Sequence, residues 1–268
     1  MAPYDRQAFL TTADLAAVAV FAYARPGGSP GVEPVTPVLL GGEPAFTLTY
    51  ARSELAREIS ASPYAAIVFS DSRLAYVGWT PLAVEVAVEA LPDPEGRLFR
   101  EELLDQELRK FPPARQIAGS MLLQRENWWY LARWILRLSP QGDPYPVGRR
   151  EGPEHAVLAC DVGGALPVRT VGVAGWEDAR IPLRPLGPDE TPLPEGVRAT
   201  LFAHDFAVPD MDPRTSFTAT GRLSNGRLDV EARSGSHTLG RRPGLFARWR
   251  GHKDLERRCR RGIKAAGV

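Results

Sequence analysis

Lysine is nearly missing from this sequence. Of 33 basic residues, only Lys110, Lys253 and Lys264 are lysines, and arginine supplies the rest. Cysteine is equally scarce: Cys160 and Cys259 lie far apart and outside any CxxC pair. That excludes a disulfide framework and a cysteine zinc site, and it fits a reducing compartment. The four histidines (His155, His204, His237, His252) lack metal-ligand spacing, so no metal site is expected. There is no basic leader, and the apolar run Leu15 to Tyr23 is too short to span a bilayer. The expectation is a buried strand at 15–23 in a cytoplasmic protein.

What is present is ordinary globular material. The 268 residues are 44% hydrophobic and 24% charged, enough for one large domain or two of common size. The net charge of +1 conceals an asymmetry. Residues 241–268 carry ten Arg/Lys against Asp254 and Glu256, a balance of +8, which leaves −7 for the rest of the chain.

A short helix is expected at 5–12 with Asp5 as its N-cap. Strand-like runs follow at 15–23, 33–40, 45–50, 64–69, 74–79 and 83–90, separated by Gly, Pro and Asp clusters. Between two of them sits a helical piece, Ser53 to Ser60, with Leu55 and Ile59 four apart on one face. Residues 97–110 form a charged helix, 125–140 a mixed apolar segment with Trp128, Trp129 and Trp134, and 141–154 a linker by composition. The second half then repeats the first. PYAAIVF (63–69) aligns with GVRATLF (196–202) at a shift of 133, as does VTPV (35–38) with VRTV (168–171). His204-Asp205, at the end of the strand LFA, lies opposite Ser70-Asp71 of the first half and reads as a surface turn. The ordered matches point to duplication.

The corner Thr49-Tyr50-Ala51-Arg52-Ser53 places hydroxyls and a cation where a strand ends and a helix begins. Two readings fit: an anion site at a helix N-terminus, or Thr49 and Ser53 serving only as caps. The three tryptophans suit core packing better than stacking on a planar ligand. In the tail, Leu255, Cys259 and Ile263 recur every four residues, which suits a basic helix docked on the acidic body with its arginines in water.

From DRQAFL through TYARSELAREISASPYAAIVF to RLAYVGWTPLAVEV, the chain resembles the pyridoxamine phosphate oxidase-like family of FMN-binding split β-barrels. The likeness covers residues 5–90, continues loosely to about 140, and returns as a degenerate copy in 155–235. It implies a mainly β fold: a split barrel at 1–140, a second at 155–240 forming an intramolecular pseudo-dimer, and a basic helix at 241–268. In the family's corner motif, Thr49, Ser53 and Pro63 match, whereas Tyr50 replaces an Asn and Leu55 stands where a phosphate-binding Lys is usual. Arg52 or Arg57 can take that role. In the second half, Arg169-Thr170 resembles the family's Arg-Thr beside the flavin phosphate, and Arg184 occupies the second corner.

The implied cofactor contacts are therefore Thr49, Tyr50, Arg52, Ser53, Arg57, Arg169 and Arg184, around FMN or a deazaflavin, in an oxidoreductase-like protein with no nameable catalytic residue. The family's C-terminal substrate signature is missing, so pyridoxamine phosphate oxidation itself is not expected. The alternative is a non-catalytic barrel that has lost flavin and holds haem or another small ligand through His204 or His237. The expected partner is a small molecule, without membrane or nucleic acid, for a monomer with an internal pseudo-dimer or a homodimer.

Overall fold

The computed structural model describes residues 5–73, 75–76, 78–188 and 191–267. Helix α1 (Arg6–Leu15) opens at Asp5, whose carboxylate accepts from the Ala8 N–H at 2.7 Å. The helix runs through Leu15, so the first strand is shorter than expected. That sheet is built from β1 (Ala19–Tyr23), β2 (Gly31–Val35), β3 (Pro37–Leu40), β4 (Glu43–Thr49), β5 (Ala65–Phe69), β6 (Leu82–Asp93) and β7 (Arg133–Pro140). Its order is β2-β1-β5-β6-β7-β4-β3, with the short β8 (Tyr145–Pro146) on β6. The described residues of 74–79 form no strand.

A turn of 3₁₀ helix (Tyr50–Arg52) leads into α2 (Ser53–Ser60). Between β6 and β7 a helical layer intervenes: a π-type turn (Phe99–Leu103), then α3 (Leu104–Lys110), α4 (Pro112–Ala118), α5 (Met121–Glu126) and α6 (Trp128–Leu131). The expected linker is partly structural, because Arg150 is buried within it and its backbone bridges to Asp71.

The second half is a closed barrel of β9 (His155–Asp161), β10 (Val168–Val173), β11 (Arg180–Pro185), β12 (Arg198–Phe206), β13 (Arg214–Ser224) and β14 (Arg227–Gly235). The chain ends in α7 (Leu245–Ala265). β2 and β3 are one strand interrupted at Thr36. Counted so, β1, β2/β3, β4, β5, β6 and β7 have the same neighbours as β9, β10, β11, β12, β13 and β14.

Burial explains the sequence pattern. β1 and β5 are buried on both faces, which is why they read as continuous apolar runs rather than alternating ones. Phe21, Tyr23, Ile67 and Phe69 point into the first barrel. Val20, Ala22, Ala66 and Val68 point the other way and pack against Val157, Ala159, Val168 and Phe202 of the second half. On β9, Leu158 and Cys160 fill the closed barrel. The apolar interface between the halves is thus made by the alternate residues of the same strands that line the two cores.

Candidate functional site

Two features meet where the halves join. The first is a buried charged network. Ser70 and Asp71 follow β5, and Asp71 receives both arms of Arg73, from Nε at 3.0 Å and from a terminal nitrogen at 2.8 Å. Arg73 also pairs with Asp205 of β12 and lies 4.1 Å over the Phe206 ring. Arg150 reaches Ser70 Oγ at 3.0 Å and Asp71 at 3.4 Å. His204 Nε2 lies 3.2 Å from the same carboxylate.

Burial opposes the charge on Asp71, but the bonds from His204 and Arg73 and the Arg150 charge outweigh it and hold the carboxyl well below its usual range. Burial and the neighbouring Arg150 lower His204 to about 4, so the imidazole is neutral near pH 7 and donates to Asp71. His204 therefore bonds to an aspartate from the other half. It is buried, not part of a surface turn as the sequence suggested, and both its ring nitrogens are engaged. The sequence did carry a signal, because the shift of 133 that aligns the strands also carries Asp71 onto His204.

The second feature is a cavity of about 500 Å³ beside this network. Thr49, Arg52 and Glu33 line it from the first sheet, and Arg214 and Phe206 from the second barrel. Arg52 forms an ion pair with Glu33 at 2.8 Å. The floor is a second buried polar group. Glu107 accepts from Tyr130 at 2.8 Å, from Arg133 at 3.1 Å and from Thr47 at 3.0 Å. Arg133 is clamped between the rings of Phe99 and Tyr130, at 4.2 and 4.0 Å. Glu107 satisfies the arginine in place of solvent, so Arg133 is fixed rather than free to move. Sequence reasoning missed this floor, since Glu107 and Arg133 lie in segments that read only as a charged helix and an apolar run.

The corner differs from its expected form. Ser53 is the first helical residue of α2, not its N-cap. The cap is Arg52, without a side-chain bond. Ser53 Oγ donates to the Tyr50 carbonyl at 2.8 Å and accepts from Trp134 Nε1 at 3.0 Å. Tyr50 is buried beside Trp134, and burial pushes its phenol up to about 12. α7 covers the turn: Gly262 lies against the Tyr50 carbonyl, and the Cys259 thiol bonds at Thr49 and Ala51. The Tyr50–Ser53 side of the corner is thus taken up by the chain's own helix and hydroxyl bonds, while Thr49 and Arg52 face the cavity.

Of the expected contacts, only Thr49 and Arg52 line the cavity. Arg57 and Arg184 are exposed elsewhere, on α2 and β11. Arg169, on β10, donates to the Thr191 carbonyl. Of the tryptophans, Trp129 is core, Trp134 packs at the corner, and Trp128 is exposed on α6. His237 stacks on Trp176 at 5.5 Å, at a separate face of the second barrel. Among the described residues no group of His, Cys, Asp and Glu is arranged to hold a metal, and no helix is long and apolar enough to cross a membrane.

The fold defined by these elements is mainly β, and the solved structures similar to it include a haem storage protein, a reductase and pyridoxamine 5'-phosphate oxidase-related proteins. The haem storage protein HutZ from Vibrio cholerae is 13% identical over 53% of this chain and 93% of its own, at a TM-score of 0.36. An F420 reductase is 25% identical over 49% of this chain and 92% of its own, at 0.35. A pyridoxamine 5'-phosphate oxidase-related, FMN-binding protein from Nostoc punctiforme is 9% identical, covering 86% and 90%, at 0.29. No protein-family model matches the sequence, and no curated protein matches it.

Proposed function

We propose that this chain is a small-ligand-binding split-barrel protein, and that its ligand is a flavin or deazaflavin held in the cavity between the halves. The observation that carries this reading is the cavity. Its volume of about 500 Å³ lies within the range of cofactor sites. Its walls combine apolar surface with arginines from both halves. In this reading the phosphate or carboxylate end of the ligand lies at Arg52 and Arg214, since the corner is filled. Arg52 is then drawn away from Glu33. Thr49 borders the same end. The Glu107–Tyr130–Arg133 floor is a rigid polar wall for the ring. A bound flavin would supply hydride transfer, and the polypeptide supplies orientation and shelter from water. In this reading the activity is oxidoreductase-like, with no side chain assigned to proton transfer, and the two unpaired cysteines suit the reducing cytoplasm.

The same reading takes the two halves as duplicated units, 1–140 and 155–240, joined as a pseudo-dimer with 241–268 appended. Its support is the matching strand order and the meeting of Asp71 with His204, which are equivalent at the shift of 133. Contacts between equivalent positions are what a twofold axis produces.

The filled corner favours a second reading, a non-catalytic barrel that has lost flavin and binds another small molecule. Haem is poorly served by His204, whose ring nitrogens are both occupied. The absorbance spectrum of freshly purified protein separates these readings. Bands near about 375 and 450 nm identify a flavin, a sharp band near about 400 nm haem, and a featureless spectrum the second reading.

A further inference from the structure

The apolar residues of α7 fall into two groups. Leu255, Cys259 and Ile263 pack on the helical layer and the 3₁₀ turn. Leu245, Phe246 and Trp249, in the first two turns of the helix, are 79%, 84% and 63% exposed. The expected docking thus holds for the second half of the helix, whereas the first touches the body through Arg248 and His252 and leaves these three side chains in solvent. At about 100° per residue, Phe246, Trp249, Lys253, Arg257, Arg260 and Lys264 share one outward side. The Arg260 guanidinium also lies 5.1 Å over the ring of half-exposed Trp128. Arg248 ties the start of the helix to Gln116 of α4, whose neighbour α5 exposes Met121 and Leu122. A patch of large apolar chains therefore runs into a row of cations.

We propose that this outer face of α7, with Trp128, binds an anionic phospholipid surface, the helix lying flat with Phe246 and Trp249 at headgroup depth. Charge is the first argument. Leu245–Ala265 carries eight cations against two acids, and both acids are already paired with cations of the same helix. Basic residues beside a bilayer are attracted to acidic headgroups, while Trp, Phe and Leu enter the interface. Shape is the second. The apolar chains stand on a convex helix, and a bilayer accepts such chains without a matching pocket. The aliphatic members Leu245, Met121 and Leu122 favour hydrocarbon over nucleic-acid bases, which stack on aromatic rings. None of the outer-face residues lines the cavity between the halves, so this surface stands apart from the ligand site.

The test is co-sedimentation of the full chain with vesicles of phosphatidylcholine alone or of equimolar phosphatidylcholine and phosphatidylglycerol. Binding is expected only to the anionic vesicles, weakening as salt is raised. The double variant Phe246→Ser/Trp249→Ser is expected to lower that binding by about tenfold or more, since each aromatic loses its burial in the interface. Its thermal midpoint should match that of the parent, because both side chains are exposed. Three results would overturn the proposal: no binding to anionic vesicles, equal binding by the double variant, or a double variant whose only defect is lost self-association or lost binding to single-stranded DNA.

Discussion

Asp71 and His204 lie 133 residues apart in the chain, and their side chains meet at 3.2 Å across the junction of the two halves. The carboxylate also holds Arg73 and Arg150, so one buried anion anchors three donors from two halves. Removing it leaves the buried Arg150 without its counter-ion, while Arg73 keeps only Asp205. Asp71→Ala should cost about 3–5 kcal/mol in a urea titration. Replacing Arg150 by Met in the same chain should recover part of that loss, because a pair deleted together leaves no orphan charge. A loss under about 1 kcal/mol for Asp71→Ala would mean that the network is solvated.

The same network sets an acid limit. His204 has a folded value of about 4, below its ordinary one, so the unfolded chain takes up the proton first. Its contribution is complete above about pH 6.5 and fades as the pH falls toward 4, by up to about 3 kcal/mol. Asp71, also depressed, adds a further loss below about pH 4. Chemical denaturation at several pH values should show a midpoint that declines from about 6.5 downward and, because burial lowers Lys110 to about 7, rises further above neutrality. In His204→Gln the upper part of that decline should disappear. A decline that persists in the variant would assign it to other groups.

Gly262 gives a test of how α7 closes the corner. Glycine to alanine within a helix ordinarily stabilises by up to about 1 kcal/mol. Here a Cβ would strike the Tyr50 carbonyl, a backbone atom that cannot rotate away. Overpacking should prevail, at about 1–3 kcal/mol of destabilisation. The buried Cys259 should then become reactive toward a thiol reagent. A stabilised variant with an inert Cys259 would show that the helix adjusts freely.

How much of this was legible in the sequence depended on whether local pattern or long-range contact decided the feature. The Asp5 cap, the Ser53–Ser60 helix and the strands at Phe69 and Phe202 follow from capping chemistry and periodicity, which act over a few residues. The docked stripe of Leu255, Cys259 and Ile263 was visible for the same reason. The corner was misread because a hydroxyl at a helix start looks alike whether it faces solvent or lies beneath another helix. Ser53 bonds inward to Tyr50 and to Trp134 of β7, and α7, two hundred residues on, closes over the turn. Arg150 hid in a linker-like stretch, since nothing local marks an arginine as the partner of a distant aspartate. The Glu107 floor was invisible for that reason too.

A flavin-class ligand between the halves is held, in this proposal, by the arginines that line the cavity. Its most direct test is a fluorescence titration of FMN against the parent chain and against Arg52→Ala and Arg214→Ala. Saturable binding by the parent is expected, weakened roughly ten- to a hundredfold by either substitution, the loss of one charge-assisted hydrogen bond. Riboflavin, without the phosphate, should bind the parent and both variants alike. No saturable binding of FMN, or binding that neither substitution alters, would contradict it.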